Sequence, residues 1–232
     1  MFIGHYGPAV WDTRRGHAVP IIKLWEAFLA VQAMDLLTGV LGIFGIEGMQ
    51  MADGKPIFYI PWSHSLISSI VIAALAGLIY KLCRRNSGQR EFMIIAVLAF
   101  SHWVLDLVVH RPDLPIYPGG ELLLGFALWD FPWTAFALEA GLLAAAFWFW
   151  QKVTVAKSKL YDYAIWALFV FMVAMHFIFI VNPGLQVQAG TFDMNATMPG
   201  NVFGALLVFT ILLLAFFISR IERGRPSKFS AQ

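Results

Sequence analysis

The chain has 232 residues, 59% of them apolar and 13% charged, with a net charge of +2. That charged fraction is about half the usual share for a soluble domain, too little to cover a globule, so the natural solvent for this composition is lipid. The small net charge excludes a nucleic-acid surface, and the lone cysteine, Cys83, excludes an intrachain disulfide.

Residues 1–19 form an N-terminal arm without the basic, apolar and small-residue zones of a signal peptide. Its apolar stretch, Gly4-His5-Tyr6-Gly7-Pro8-Ala9-Val10-Trp11, is too short to span a bilayer. Two placements are expected. A half-helix dipping into the bundle from Arg14 and Arg15 carries His5 about 13 Å deep. An amphipathic arm on the cytoplasmic face leaves His5 idle, with His17 among the headgroups.

Six windows then meet the requirement of about 20 mostly apolar residues per span. They are Ile21–Ile46, Trp62–Tyr80, Phe92–His110, Trp133–Trp150, Tyr163–Val181 and Val202–Ile218, followed by a tail at 219–232. Turn-forming segments lie between them: Gly48–Pro61, Arg84–Arg90, Arg111–Gly120, Lys152–Lys159 and Asn182–Gly200. The expected fold is an all-α, polytopic transmembrane bundle forming one domain over 1–232. Fourteen of the sixteen Lys and Arg residues fall on one side, leaving Lys55 and Arg111 on the other. By the positive-inside tendency both termini are expected in the cytoplasm.

Ionisable groups at membrane depth are costly and face a bundle interior, which makes each a functional candidate. They are Asp35, His64, His102, Asp106, Glu139 and His176. At 1.5 Å per residue from the nearest cytoplasmic basic residue, they lie about 18–25 Å deep, six groups from five spans in one layer. His110 is expected near the outer surface as a helix C-terminus, where an imidazolium suits the helix dipole. A Glu139–His176 hydrogen-bonded pair joining spans 4 and 5 is an alternative to a catalytic role for Glu139.

The third span reads Ser101-His102-Trp103-Val104-Leu105-Asp106-Leu107-Val108-Val109-His110. His102, Asp106 and His110 recur every fourth residue and share one face. Two ligands one turn apart on a helix, completed from facing helices, are how bundles build metal sites. Asp106 serves either as a ligand or as the group that fixes an imidazole tautomer. The plain alternative is an interhelical hydrogen-bond or proton-relay network without metal.

These residues resemble a family of small bacterial inner-membrane proteins known as predicted membrane-bound metal-dependent hydrolases. The matches are Gly4-His5, Asp35, Ser63-His64-Ser65, and Ser101-His102 with Asp106, followed by Arg111-Pro112-Asp113-Leu114-Pro115. They cover residues 1 to about 120. A longer His-Arg-Gly-x-Thr-His-Ser motif of the family stands here as Ile60-Pro61-Trp62-Ser63-His64-Ser65. The resemblance implies a bacterial inner-membrane location and a divalent metal on His5, Asp35, His64, His102 and Asp106.

Zinc is the first choice of metal, with Mn and Fe fitting the same donors. Asp106 or Glu139 is the expected general base in hydrolysis of a lipid-like substrate, and an oligomer or larger complex is compatible. Two other classes compete: an ion- or proton-coupled carrier, and a non-enzymatic complex subunit packed through its 21 Phe and 9 Trp residues. The absence of repeats and of paired broken spans argues against the carrier. Asn195-Ala-Thr matches a glycosylation acceptor, idle in a bacterium, and Gly200-x-x-x-Gly204 permits close helix packing.

Overall fold

The structure, a computed structural model, describes residues 1–12, 21–52 and 55–228, and of 11 and 12 the backbone alone. Arg14, Arg15 and His17 lie outside the described residues. The fold is an all-α membrane bundle. Among the described residues five helices are long and apolar enough to cross a bilayer, or six with a bent pair counted as one span.

The N-terminal segment enters the bundle. Helix α1 (Tyr6–Asp12) packs against the helices at Leu24–Val31, Gln89–Val109 and Pro132–Val153, and Ile3, His5, Tyr6, Ala9 and Val10 are fully buried. The first span is broken into α2 (Leu24–Val31) and α3 (Ala33–Ile43), which meet at 56°. The window Ile21–Ile46 reads as continuous in hydropathy, so the break is a departure from expectation. At the break Gln32 leaves helical geometry, and its side-chain amide donates to the Phe2 carbonyl at 3.3 Å.

The segment expected as a loop at Gly48–Pro61 contains an antiparallel hairpin, β1 (Gly48–Ala52) paired with β2 (Lys55–Tyr59). The short helix α4 (Pro61–His64) follows, with Pro61 in its first turn, where a missing N–H costs nothing. His64 therefore precedes the second span rather than lying on it. At Ser65 the backbone extends, and its hydroxyl caps α5 (Leu66–Cys83) by accepting from the Ser68 N–H at 3.2 Å.

Helix α6 (Gln89–Val109) pairs closely with α5. A two-residue pair, β3 (Leu114–Pro115) with β4 (Leu123–Leu124), folds the following segment back over its end. Helix α7 (Pro132–Val153) again starts on proline. Helix α8 (Lys159–His176) runs through a π-turn at Phe177–Val181 into α9 (Asn182–Gln188), so the crossing continues past the expected end at Val181. Pro183 lacks the N–H a helix interior needs, and the wider turn just before it absorbs that defect.

Helix α10 (Gly200–Arg223) packs on α2 and α3. Close approach at Gly204 is required, because a Cβ there would meet the Ile43 nitrogen at 2.9 Å. Gly39 faces the same contact, where a Cβ would meet Val208 Cγ2 at 2.7 Å. The outward faces carry exposed Ile70, Val97, Val170, Phe171 and Phe209, while His64, His102, Asp106, Glu139 and His176 are buried. That arrangement inverts a soluble protein and suits hydrocarbon.

Candidate metal centre

His64 Nε2 lies 3.1 Å from His102 Nε2, in a fully buried space bounded by α3, α4 and α6. Asp106 Oδ2 is 3.3 Å from the first and 3.1 Å from the second, and Asp35 Oδ1 is 3.6 Å from both. Two overlapping groups could hold a metal ion: His64, His102 and Asp106, and His5, Asp35 and His102. Donors held at about 2.0–2.2 Å from a tetrahedrally coordinated ion lie about 3.3–3.6 Å from one another. The measured separations fall around that edge length.

The ring orientations are fixed from behind. His102 Nδ1 lies 2.7 Å from the Val31 carbonyl, which can only accept, so Nδ1 carries the proton and Nε2 presents a lone pair. The Val31 carbonyl sits at the break between α2 and α3, where the helical ladder is interrupted. His64 Nδ1 lies 2.7 Å from Ser63 Oγ and 3.2 Å from Thr38 Oγ1. The Ser63 hydroxyl donates to Glu47 Oε2 at 2.6 Å, so Ser63 Oγ accepts the His64 Nδ1 proton. His64 Nε2 is thereby a second lone pair aimed at the first.

Two lone pairs at 3.1 Å repel unless a cation, a proton or a metal ion, lies between them. This is the arrangement that supporting residues impose on ligating histidines.

His5 comes from the N-terminal arm, just ahead of α1. Its ring stacks on His102 with centroids 3.6 Å apart, and its Nε2 is 3.1 Å from Asp106 Oδ1. Neither ring nitrogen has a hydrogen-bond partner among the described residues. The Met1 α-amino group also pairs with Asp106 Oδ1. Of the two arm placements weighed from the sequence, the structure has the dipping one.

Five of the expected residues, His5, Asp35, His64, His102 and Asp106, thus come together. Asp35, on the first turn of α3, is the most open of them, with a side chain 16% exposed.

Glu139 on α7 stands apart from these groups. Its Oε2 accepts from the Phe2 N–H at 2.7 Å and the Gly4 N–H at 3.3 Å, so it anchors the chain just before His5. His176 Nε2 is 3.7 Å from Glu139 Oε1, and neither ring nitrogen is hydrogen-bonded among the described residues. The single layer read from the sequence therefore divides into a His/Asp group and a Glu139–His176 pair.

His110 departs from expectation. It does cap the C-terminus of α6, but it is buried rather than at the outer surface, under Phe58 and Trp129. Its Nδ1 is 2.9 Å from Asp113 Oδ1, and its Nε2 is 3.7 Å from Asp106 Oδ2. The hairpin and the turn after α6 cover it, and Asp113 Oδ2 also takes the Phe58 N–H at 3.0 Å. The four-residue recurrence of His102, Asp106 and His110 was the signal for this.

Glu47, Thr38 and Asp113 had no such signal. Glu47 Oε1 accepts from the Trp62 and Ser63 N–H groups at 2.7 and 2.9 Å, capping α4 and placing His64. A carboxylate in a polar turn is unremarkable in sequence.

Outside the spans, Asp130 accepts from Arg111 Nε at 2.7 Å and Lys55 Nζ at 3.3 Å. Partial burial pushes its carboxyl up, but these two cations outweigh that and hold it below its ordinary value. No family model, curated protein or solved structure matches the chain.

Proposed function

We propose that this protein is a metal-dependent hydrolase of the membrane, with one divalent ion held by His64, His102, Asp35 and Asp106 and approached by His5. The observation that carries the reading is the opposition of His64 Nε2 and His102 Nε2 at 3.1 Å, each with its Nδ1 proton already committed. The resemblance of residues 1 to about 120 to predicted membrane-bound metal-dependent hydrolases supports it. Zinc suits the mixed nitrogen and oxygen donors, and Mn or Fe fit the same set.

A bound divalent ion brings the pKa of its water towards 7. Asp106 is the general base in this reading, because its carboxylate lies among the imidazoles while Glu139 stands apart on α7 and anchors the N-terminal arm. Water divides in the reaction: its hydroxyl goes to the acyl or phosphoryl centre, and its proton reaches the leaving oxygen through Asp106. The substrate is a lipid or another membrane-embedded molecule, since the donors lie inside a bundle of apolar helices. The asymmetry of Lys and Arg supports cytoplasmic termini, and the resemblance supports a bacterial inner membrane.

Elemental analysis of the detergent-purified protein tests the centre. About one equivalent of metal is expected, lost in a His64→Ala/His102→Ala variant along with hydrolysis of lipid esters or phosphoesters. Wild-type protein that stays metal-free after incubation with Zn, Mn and Fe overturns the reading. It would leave a proton-relay network and favour a carrier or complex subunit.

A further inference from the structure

A chamber of about 310 Å³ lies between the C-terminal half of α3, the π-turn after α8 and the N-terminal half of α10. Its walls are mainly apolar, including Phe58, Ile178, Phe179, Phe203 and Leu207. A smaller cavity of about 60 Å³ shares Phe58, Phe179 and Phe192 with it and reaches back to His176. The volume is in the range of small-molecule sites.

Two features connect this chamber to the proposed centre. Thr38 lines it, and Thr38 Oγ1 is 3.2 Å from His64 Nδ1. Thr38 also lies one turn beyond Asp35 on α3, so the two share a helical face. Glu47, which fixes Ser63 and hence His64, is a second polar residue of the same wall.

Exposed apolar side chains flank the chamber on its helical side, while its other walls come from the connections at 47–60 and 192–198. Ile178 and Phe209 beside it are more than half exposed, and Val202 and Leu206 are close to that. A shallower cavity lined by Phe179, Phe203, Leu206 and Leu207 continues along the seam between the π-turn and α10. Hydrocarbon is the medium at that seam, and an apolar chamber left empty forfeits the dispersion contacts of its lining. The π-turn widens the backbone here, as such turns do at functional sites.

We infer that this chamber takes one hydrocarbon chain of a membrane lipid, entering through the seam between the π-turn and α10. It makes the substrate a lipid whose hydrolysable group lies at the head of that chain, next to Thr38 and Asp35. The substrate assignment rests on the proposed metal centre, whereas binding of the chain does not.

The test is photolabelling of the full-length protein in phosphatidylethanolamine–phosphatidylglycerol vesicles. The probe is a phospholipid with a diazirine on one acyl chain, and metal content is measured on the same samples. Labelling concentrated on Phe179, Phe203 and Leu207 is expected. It should drop about tenfold in Leu207→Trp, which fills the chamber, a change equivalent to about 1.4 kcal/mol of binding.

Ala196→Trp fills the chamber from a loop and guards against a folding defect in the helix variant. Both variants keep wild-type metal content. Labelling spread over outward-facing residues such as Val97 and Phe171, and equal in both variants, overturns the inference. Concentrated labelling on a protein that binds no metal upholds the chamber and removes the hydrolase reading.

Discussion

Glu139 Oε2 accepts the Phe2 N–H at 2.7 Å, joining the fourth span to the N-terminal arm across 137 residues of sequence. Hydrogen bonds to a charged acceptor are worth about 1.5–3 kcal/mol each, more than neutral ones. Glu139→Gln should therefore loosen residues 2–10, raising their amide exchange by about tenfold or more, and should lower metal affinity through His5. A general base at Glu139 would give another outcome: full arm protection and full metal content, with hydrolysis abolished. Amide exchange and metal analysis on one preparation separate the two.

The Ser63 hydroxyl relays Glu47 to His64, so its removal should release the imidazole from its fixed tautomer. Ser63→Ala is expected to weaken metal binding by about 10–100-fold, the usual cost of losing such a supporting contact. Competition with a chromogenic chelator measures it. Unchanged affinity would mean that Thr38, 3.2 Å away, holds the ring alone.

Gly204 has no room for a side chain against α3. Gly204→Val pushes α10 away from Gly39 and Gly42 and should cost about 1–3 kcal/mol, the range for an overpacked contact. Thermal unfolding in detergent should show a lower Tm. The substitution also widens the chamber, so lipid labelling should change with it.

The carboxyl of Asp130 is held below its ordinary value by Arg111 and Lys55 once burial is offset. A depressed folded-state pKa gives stability that is complete above the ordinary carboxylate value, near 3.9, and is lost as pH falls through the folded value. Asp130→Asn should then unfold at lower temperature than wild type at pH 7 and at the same temperature in strong acid. Partial exposure limits the difference to about 0.2–1 kcal/mol, so the comparison needs low salt.

The crossings were legible because hydropathy sums over some twenty residues, and a run that long has one physical meaning. His64, His102, Asp106 and Asp35 were legible for the opposite reason, since ionisable groups inside such runs are few and costly. The break at Gln32 was not legible. No proline or glycine marks it, and its partners, Phe2 and His102, are distant in sequence.

The hairpin was hidden too, because Gly48–Pro61 satisfies turn chemistry without alternating polarity. Glu47 and Asp113 lie in polar connections where carboxylates are ordinary, and only their contacts with Ser63 and His110 single them out. The arm was an open choice between bundle and surface, decided by Glu139 and Asp106, far along the chain.

That dependence orders the making of the protein. Residues 2–5 leave the ribosome well ahead of their partners on α6 and α7, which arrive more than a hundred residues later. Until α6 is in the bilayer the His5 ring lacks Asp106, and until α7 follows the Phe2 and Gly4 amides lack Glu139. The N-terminal arm therefore moves inward only after α7, at the loop-closure cost of a long separation. A chain halted before Glu139 can insert its first spans, but its His/Asp group would still lack its N-terminal member.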